Sequence, residues 1–326
     1  VAQTSIEIIG ESQTQTIIDG NNGAFDVFNV TIADGGKLVA RTDFQISNLT
    51  IRNTTSQVAL NLNSSTVNFK VQNITFTSCD TAISAAGDSD NQNLKIIDCT
   101  MGVGATAAGF NSRIRLTGGA ASNTWVDNCA ITLNGGNDVG IRVGQLGIPS
   151  YNGGQVFINN INFTGTNSLC VYVISSVPTI VNSYFSLAGT ADAILIDSTA
   201  PLRMENNFIS GPGTATSGTM VRINSQNCGI IGNRIINCFN GIVVTDTSNR
   251  IVGNRFAGID GTAIDLSSAS ADNTIIVGNH IQAETGIFIG SLATENVVIG
   301  NFVNGTTADI TNNSGTNSTV DHNELV

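Results

Sequence analysis

The chain has 326 residues, with 13 basic against 24 acidic side chains, a net charge of −11 and only 11% charged residues in all. That balance argues against nucleic acid or an anionic membrane as a general partner, since both repel a net-negative surface. With 35 glycines, four prolines and no apolar run near 18 residues, it also argues against a helical or membrane-inserted protein and suits strands whose N–H groups all donate.

Taken in order, the first 45 residues read as opening coils. They carry Ile6-Glu7-Ile8-Ile9-Gly10, then Thr16-Ile17-Ile18-Asp19-Gly20, then the alternating strand Phe25-Asp26-Val27-Phe28-Asn29-Val30. From Ile46 onward a phase repeats. Anchors fall at Asn48, Asn73, Asp98, Asn128, Asn160, Ser183, Asn206, Asn233, Asn254, Asn279, Asn301 and Asn323, 21 to 32 residues apart, and an aliphatic residue precedes nearly every anchor by two. The unit is sharpest in the second half, where apolar–Gly–Asn–x–apolar recurs at Gly232-Asn233, Gly253-Asn254, Gly278-Asn279 and Gly300-Asn301. A period of that length with two or three short strands per unit predicts a solenoid. Asparagine at one corner of every coil can adopt the left-handed conformation and bond along the axis, so Asn233, Asn254, Asn279 and Asn301 are expected to form a structural ladder.

These residues resemble the right-handed parallel β-helix proteins, the pectin-lyase-like superfamily that includes bacteriophage tailspikes and tail fibres. The opening residues Ile6–Gly20 are similar to the first coil of such proteins. The expectation is an all-β, right-handed parallel β-helix of about twelve coils, a single domain over 1–326 with opening coils at 1–45 and regular coils at 46–326. The N-terminal Val-Ala-Gln-Thr-Ser lacks the basic and hydrophobic regions of a signal peptide, so the chain is read as a piece of a longer protein.

The two longest steps, Asp98 to Asn160, place extra length in 102–111 and 144–154, where binding loops are expected. The single Trp125 and Tyr151 lie here. Trp125 sits in a strand beside Val126, where core or ladder packing accounts for it as well as sugar stacking does. Gly87-Asp88-Ser89-Asp90-Asn91 reads as a solvated turn. The six cysteines include no CxxC pair and only His280 and His322 accompany them, so no metal site and no cofactor is expected. Cys99 and Cys129 each follow an anchor by one residue; a disulfide between them is geometrically conceivable, and free thiols filling the core is the plainer reading.

Alternation along the second strand of each coil predicts an outward column: Asn61, Ser84, Arg115, Arg142, Tyr172, Leu195, Arg222, Val243, Asp265, Phe288 and Thr311. Arg115 and Arg142 one rung apart call for an anion or a neighbouring carboxylate. Arg115, Arg142 and Tyr172, with Asp138 and Tyr151 at the rim, are therefore the candidate glycan-binding set. Leu195, Val243 and Phe288 form a candidate apolar stripe for self-association.

For function, the resemblance implies a tailspike- or tail-fibre-like structural and receptor-binding module that recognises a host surface polysaccharide, sits on a virion tail or outside a cell, and assembles as a homotrimer. Two alternatives stay open: a polysaccharide lyase or glycoside hydrolase on the same fold, and a cell-surface adhesin. The polygalacturonase-like Asn-Thr-Asp, Asp-Asp and Gly-His-Gly pattern is absent, and no catalytic residue is assigned. The acidic candidates are Asp138, Asp192, Asp197, Asp246, Asp260 and Asp265, and for each the plain reading as a turn or surface residue is favoured.

Overall fold

The computed structural model describes residues 4–21, 26–31, 42–63, 67–87, 93–103, 112–118, 123–135, 138–144, 155–166, 168–174, 176–189, 192–197, 201–213, 217–314 and 318–326. These residues form strands and turns and contain no α-helix. The chain divides into two compact units, Val1–Pro178 and Thr179–Val326. Within each unit a circuit of the chain lays down three strand segments, two in the last circuit, and each segment pairs in parallel with its counterpart in the next circuit.

In the first unit, the first sheet runs Thr4–Ile9, 42–47, 67–72, Asn93–Ile97, Thr124–Asp127 and Gln155–Asn159. The second runs Ile17–Asp19, 50–52, 74–77, Thr100–Met101, Ala130–Leu133 and Asn162–Thr166. The third runs Phe28–Thr31, 60–62, 83–87, Ser112–Gly118, Val139–Val143 and Leu169–Val173. In the second unit the first sheet continues the scheme from 179–181 through Arg203–Glu205, Gly229–Ile231, Arg250–Val252, Ile275–Val277 and Val297–Ile299 to Thr319–Asp321.

Period-two alternation sends every second side chain inward, and register stacks like on like. Ile46, Val71, Ile96, Val126 and Ile158 form one fully buried column, and Ile230, Ile251, Ile276 and Val298 form its counterpart in the second unit. All six cysteines are free and buried, Cys99 and Cys129 included. Burial pushes the Cys170 thiol well up and the Cys238 thiol up to about 12, so both stay protonated and inert.

The corner between the first and second sheets is built in two ways. In the first unit the left-handed residue is the anchor itself, with φ of 51–59° at Asn48, Asn73, Asp98, Asn128 and Asn160. These side chains bond along the axis on the outside, as from Asn73 Nδ2 to Asn48 Oδ1 at 2.8 Å and Asn160 Nδ2 to Asn128 Oδ1 at 3.0 Å. The next residue points inward and is apolar or a thiol: Leu49, Ile74, Cys99, Cys129 and Ile161. In the second unit the left-handed residue at Asn233, Asn254, Asn279 and Asn301 is instead the preceding glycine, Gly232, Gly253, Gly278 or Gly300, at φ 64–65°. This corrects the expectation that these four asparagines adopt that conformation. Glycine takes the strained φ at no steric cost, which moves the asparagine one place on, into the interior.

There the asparagines are 1% exposed and fully bonded. Asn279 Oδ1 accepts Asn254 N at 2.8 Å and Asn254 Nδ2 at 3.0 Å. Asn279 Nδ2 in turn donates to Asn301 Oδ1 and to Ile251 O, both at 2.9 Å. The chain of bonds extends from Asn207 through Asn233, Asn254, Asn279 and Asn301 to Asn323. The one-residue slip also turns the aliphatics two before these anchors outward: Ile231, Val252, Val277 and Ile299 lie on the surface side of the first sheet, while Ile46 and its column lie inside.

Replacing Asn254 by leucine removes one donor and one acceptor from the middle of this series and leaves the Asn233 amide and the Ile230 carbonyl without partners. Asn254→Leu is expected to lower stability by about 1–3 kcal/mol, read as a shift in the urea midpoint at unchanged slope; an unshifted midpoint would show the corner to be solvated.

Candidate functional site

The third-sheet register of the first unit places Asn61, Ser84, Arg115, Arg142 and Tyr172 on successive rungs. All but the buried Ser84 are half-buried. Rungs lie about 4.8 Å apart, so the two guanidinium-bearing side chains are immediate neighbours. Arg115 Nε donates to Ser84 Oγ at 3.2 Å. Burial first, then the charge of Arg142, lowers the Arg115 pKa, against an opposing pull from Asp26. Asp26 is held at the head of this column, accepting from Asn61 Nδ2 at 2.7 Å and from Val58 N at 3.0 Å. Among the described residues Arg142 Nε has no hydrogen-bond partner. Tyr151 and the long segments 104–111 and 145–154 lie outside the described residues, as does most of the 87–91 turn.

Asp138 is not at the rim of this set. It is 2% exposed and pairs with Arg113, itself 1% exposed, through Arg113 Nη2 to Asp138 Oδ2 at 2.6 Å. The same carboxylate oxygen accepts Asn134 N at 3.1 Å. Arg113 Nη1 donates to the carbonyls of Cys79 and Asp80, both at 3.0 Å. Arg113 is the largest fully buried side chain. Burial lowers its pKa, and Asp138 then Asp80 oppose that shift. The pair therefore ties three successive coils together from inside. Alternation alone would put Arg113 on the outward side with Arg115, two residues on; it is buried instead because its guanidinium turns to the carbonyls of Cys79 and Asp80 and to the Asp138 carboxylate, and no local pattern in the sequence marks it.

The apolar stripe also differs from expectation. In the second unit Leu195, Arg222, Val243, Asp265, Phe288 and Thr311 do stand on successive third-sheet rungs. Val243, however, is buried at 8% exposure, and Leu195 and Phe288 are half-buried. The register neighbours of Val243 are Arg222 and Asp265, and Arg222 is pinned to Asp192 through Nε–Oδ2 at 2.8 Å. Ile231, at 38% exposed, belongs to the first sheet instead.

A face that the candidate set omitted lies on the first sheet of the first unit. There Glu7, Gln45, Lys70, Lys95, Trp125 and Phe157 form one outward column. Trp125 stacks on Phe157 at 5.5 Å and 12° between planes, and Lys95 Nζ lies 5.8 Å from the Trp125 ring centre. A groove of about 650 Å³ opens beside them, lined also by Asp43, Asn68 and Asn93. The outward position of Trp125 could have been read from Val126, which stacks in the buried column. Among the described residues no three His, Cys, Asp or Glu side chains gather as a metal site.

The chain belongs to the right-handed β-helix family: the family described as "Right handed beta helix region" matches residues 146–325, more than half its length. No curated protein and no solved structure matches it.

Removing one member of the buried pair strands the other charge in the core. Arg113→Met should cost about 3–5 kcal/mol, and the double change Arg113→Met, Asp138→Leu should recover most of that loss. Urea unfolding of the two single variants and the double variant measures the coupling; additive losses would show that the two side chains act independently.

Proposed function

We propose that this β-helix is a structural and carbohydrate-recognising module, in the manner of a phage tailspike or tail fibre, displayed on a virion tail or outside a cell and directed at a host surface polysaccharide. The family fold is compatible with polysaccharide binding or cleavage. The observation that carries the reading is the groove beside Trp125. It combines the half-buried Trp125, backed by Phe157, with two lysines and a row of amide and carboxylate side chains on one sheet. An aromatic body offers sugar C–H groups an apolar surface, while the polar groups around it orient hydroxyls and acidic substituents. Arg115, Arg142 and Tyr172 supply a second polar column on the third sheet of the same unit.

Trp125→Ala is expected to weaken binding to a surface polysaccharide of the host by about tenfold, a loss of order 1.4 kcal/mol, with the melting temperature unchanged. An array of purified capsular and O-antigen polysaccharides probed with the parent protein and this variant measures it. Failure of the parent to bind any polysaccharide removes the reading.

The reading as a depolymerase has one observation of its own. A groove of about 490 Å³ in the second unit is lined by the exposed carboxylates Asp260 and Glu284, with Gln282, Thr306 and Thr307. Two carboxylates in one groove are what glycoside hydrolysis requires.

Assembly as a homotrimer belongs to the same proposal. Arg222 and Asp265 interrupt the column that holds Leu195 and Phe288, whereas Ile231, Val252, Val277 and Ile299 stand in line without a break on the first sheet of the second unit. Closed cyclic symmetry is the usual way to bury such a row. Sedimentation should show a trimer that Val252→Asp, Val277→Asp converts to a folded monomer; a parent monomer at high concentration removes the proposal.

A further inference from the structure

We infer that the outward column of the second sheet in the second unit, Tyr184, Phe208, Arg234, Arg255, His280 and Phe302, is a binding strip for an anionic polysaccharide lying along the strand-stacking direction. The inference rests on the polysaccharide reading and names the chemical class of one ligand. It concerns a different sheet and a different unit from the Trp125 groove.

The six residues occupy one register position on six successive rungs. All face outward: Tyr184, Arg234, Arg255 and His280 are exposed, and Phe208 and Phe302 are half-buried. Tyr184 stacks on Phe208 at 5.0 Å and 6°, and His280 on Phe302 at 4.7 Å and 3°. Between the two ring pairs stand Arg234 and Arg255. The Arg234 guanidinium sits 5.2 Å from the Phe208 ring centre. Among the described residues neither arginine forms an ion pair. Beside this column the next outward positions are Ser186, Ser210, Ile236 and Ala257, of which only Ile236 is bulky and it is half-buried.

Three physical points select the ligand. First, two unpaired arginines on adjacent rungs repel each other unless an anion lies across them, and the rung spacing of about 4.8 Å lets one extended chain meet both. The protein otherwise carries a net charge of −11. It therefore repels polyanions generally, and a local cationic strip is where one would be held. Second, guanidinium groups present planar forks of donors matched to carboxylates or sulfates, and stacking on Phe208 pre-orients one of them. Third, each ring has one face taken by its stacking partner, and Phe208 has the Arg234 guanidinium near its ring as well, so the pairs present mainly their edges along the strip. Aromatic edges carry the positive end of the quadrupole and favour anionic or hydroxyl oxygens. Single-stranded nucleic acid needs a run of open ring faces on which successive bases stack, and rings already stacked in pairs do not offer such a run. An acidic polysaccharide requires only the edges and the charges. Glu324, one rung beyond Phe302, puts a negative charge at the end of the strip and limits its length.

The test uses the full chain and three probes at low ionic strength: polygalacturonate, neutral dextran and oligo(dT). The parent should bind polygalacturonate, in a salt-dependent manner, better than it binds dextran or oligo(dT). Arg234→Ala, Arg255→Ala should lose about tenfold or more of that binding, as expected for two charge-assisted contacts. Arg234→Lys, Arg255→Lys should stay close to the parent. Both arginines are surface groups, so melting curves should coincide and loss of binding will not reflect unfolding. If the alanine pair binds as the parent does while Trp125→Ala abolishes binding, this inference is overturned and the polysaccharide reading stands. If the alanine pair fails while Trp125→Ala binds normally, the inference holds independently of the Trp125 groove. Tighter binding of oligo(dT) than of polygalacturonate overturns it in favour of nucleic acid, and absence of binding to any polysaccharide overturns both readings.

Discussion

Everything in this protein depends on strict parallel register between one circuit and the next. Backbone pairing supplies the repeat, but pairing alone tolerates slippage when neighbouring rungs look alike. The buried asparagines of the second unit remove that freedom. Each one accepts from the asparagine of the preceding circuit through both its main-chain and side-chain nitrogen, as Asn254 Oδ1 accepts from Asn233 at 2.8 and 3.0 Å. A shift by a single residue would leave a fully buried amide facing an isoleucine, and the cost of unpaired polar groups in the core would fall on every rung at once.

The first unit reaches the same end differently. Its corner asparagines bond outside, where water competes, and its corner interior is filled with Leu49, Ile74, Cys99, Cys129 and Ile161. The buried charges described in that unit are concentrated in one place instead, where Arg113 joins Asp138 to the carbonyls of Cys79 and Asp80. Desolvating such a pair is expensive, and an apolar pair of similar shape would serve stability as well. Its geometry suits it to fixing how three consecutive circuits meet at a point where the sequence between strands lengthens, from 101 to 112 and from 143 to 155.

Much of this was legible in the sequence, because alternation and period are set by backbone geometry. The third-sheet column from Asn61 to Tyr172 follows from apolar flanks such as Ile141 and Val143, which can only point inward. The slip at the glycines was not legible from the anchors alone. Asparagine and glycine both accept the left-handed conformation, so Gly-Asn admits two phases, and only the exposure of Ile231 against the burial of Ile230 decides between them. Asp138 was misplaced because its partner is set by packing across circuits, 25 residues away, and no local pattern marks it. Val243 does stand in the predicted outward column between Arg222 and Asp265, and only its burial was not legible, because a single strand does not reveal what neighbouring rungs cover. The strip on the second sheet was in view throughout as the x of Gly-Asn-x. Its residues, Arg234, Arg255, His280 and Phe302, looked like variation that the repeat tolerates.

That variable letter has a consequence for how such a surface changes over time. Each circuit contributes one side chain to the strip, and the Cα of that residue is held by pairing that does not involve its side chain. A substitution there alters one rung of the outer face and leaves the asparagine and isoleucine columns behind it untouched. The outer face can thus be rewritten one circuit at a time, by single codon changes that do not pass through an unfolded intermediate. Duplication or loss of a whole circuit would lengthen or shorten the surface by one step and keep the remainder in register. A chain built this way separates the residues that hold its shape from those that meet the outside, and it presents the latter as a linear record that selection can edit.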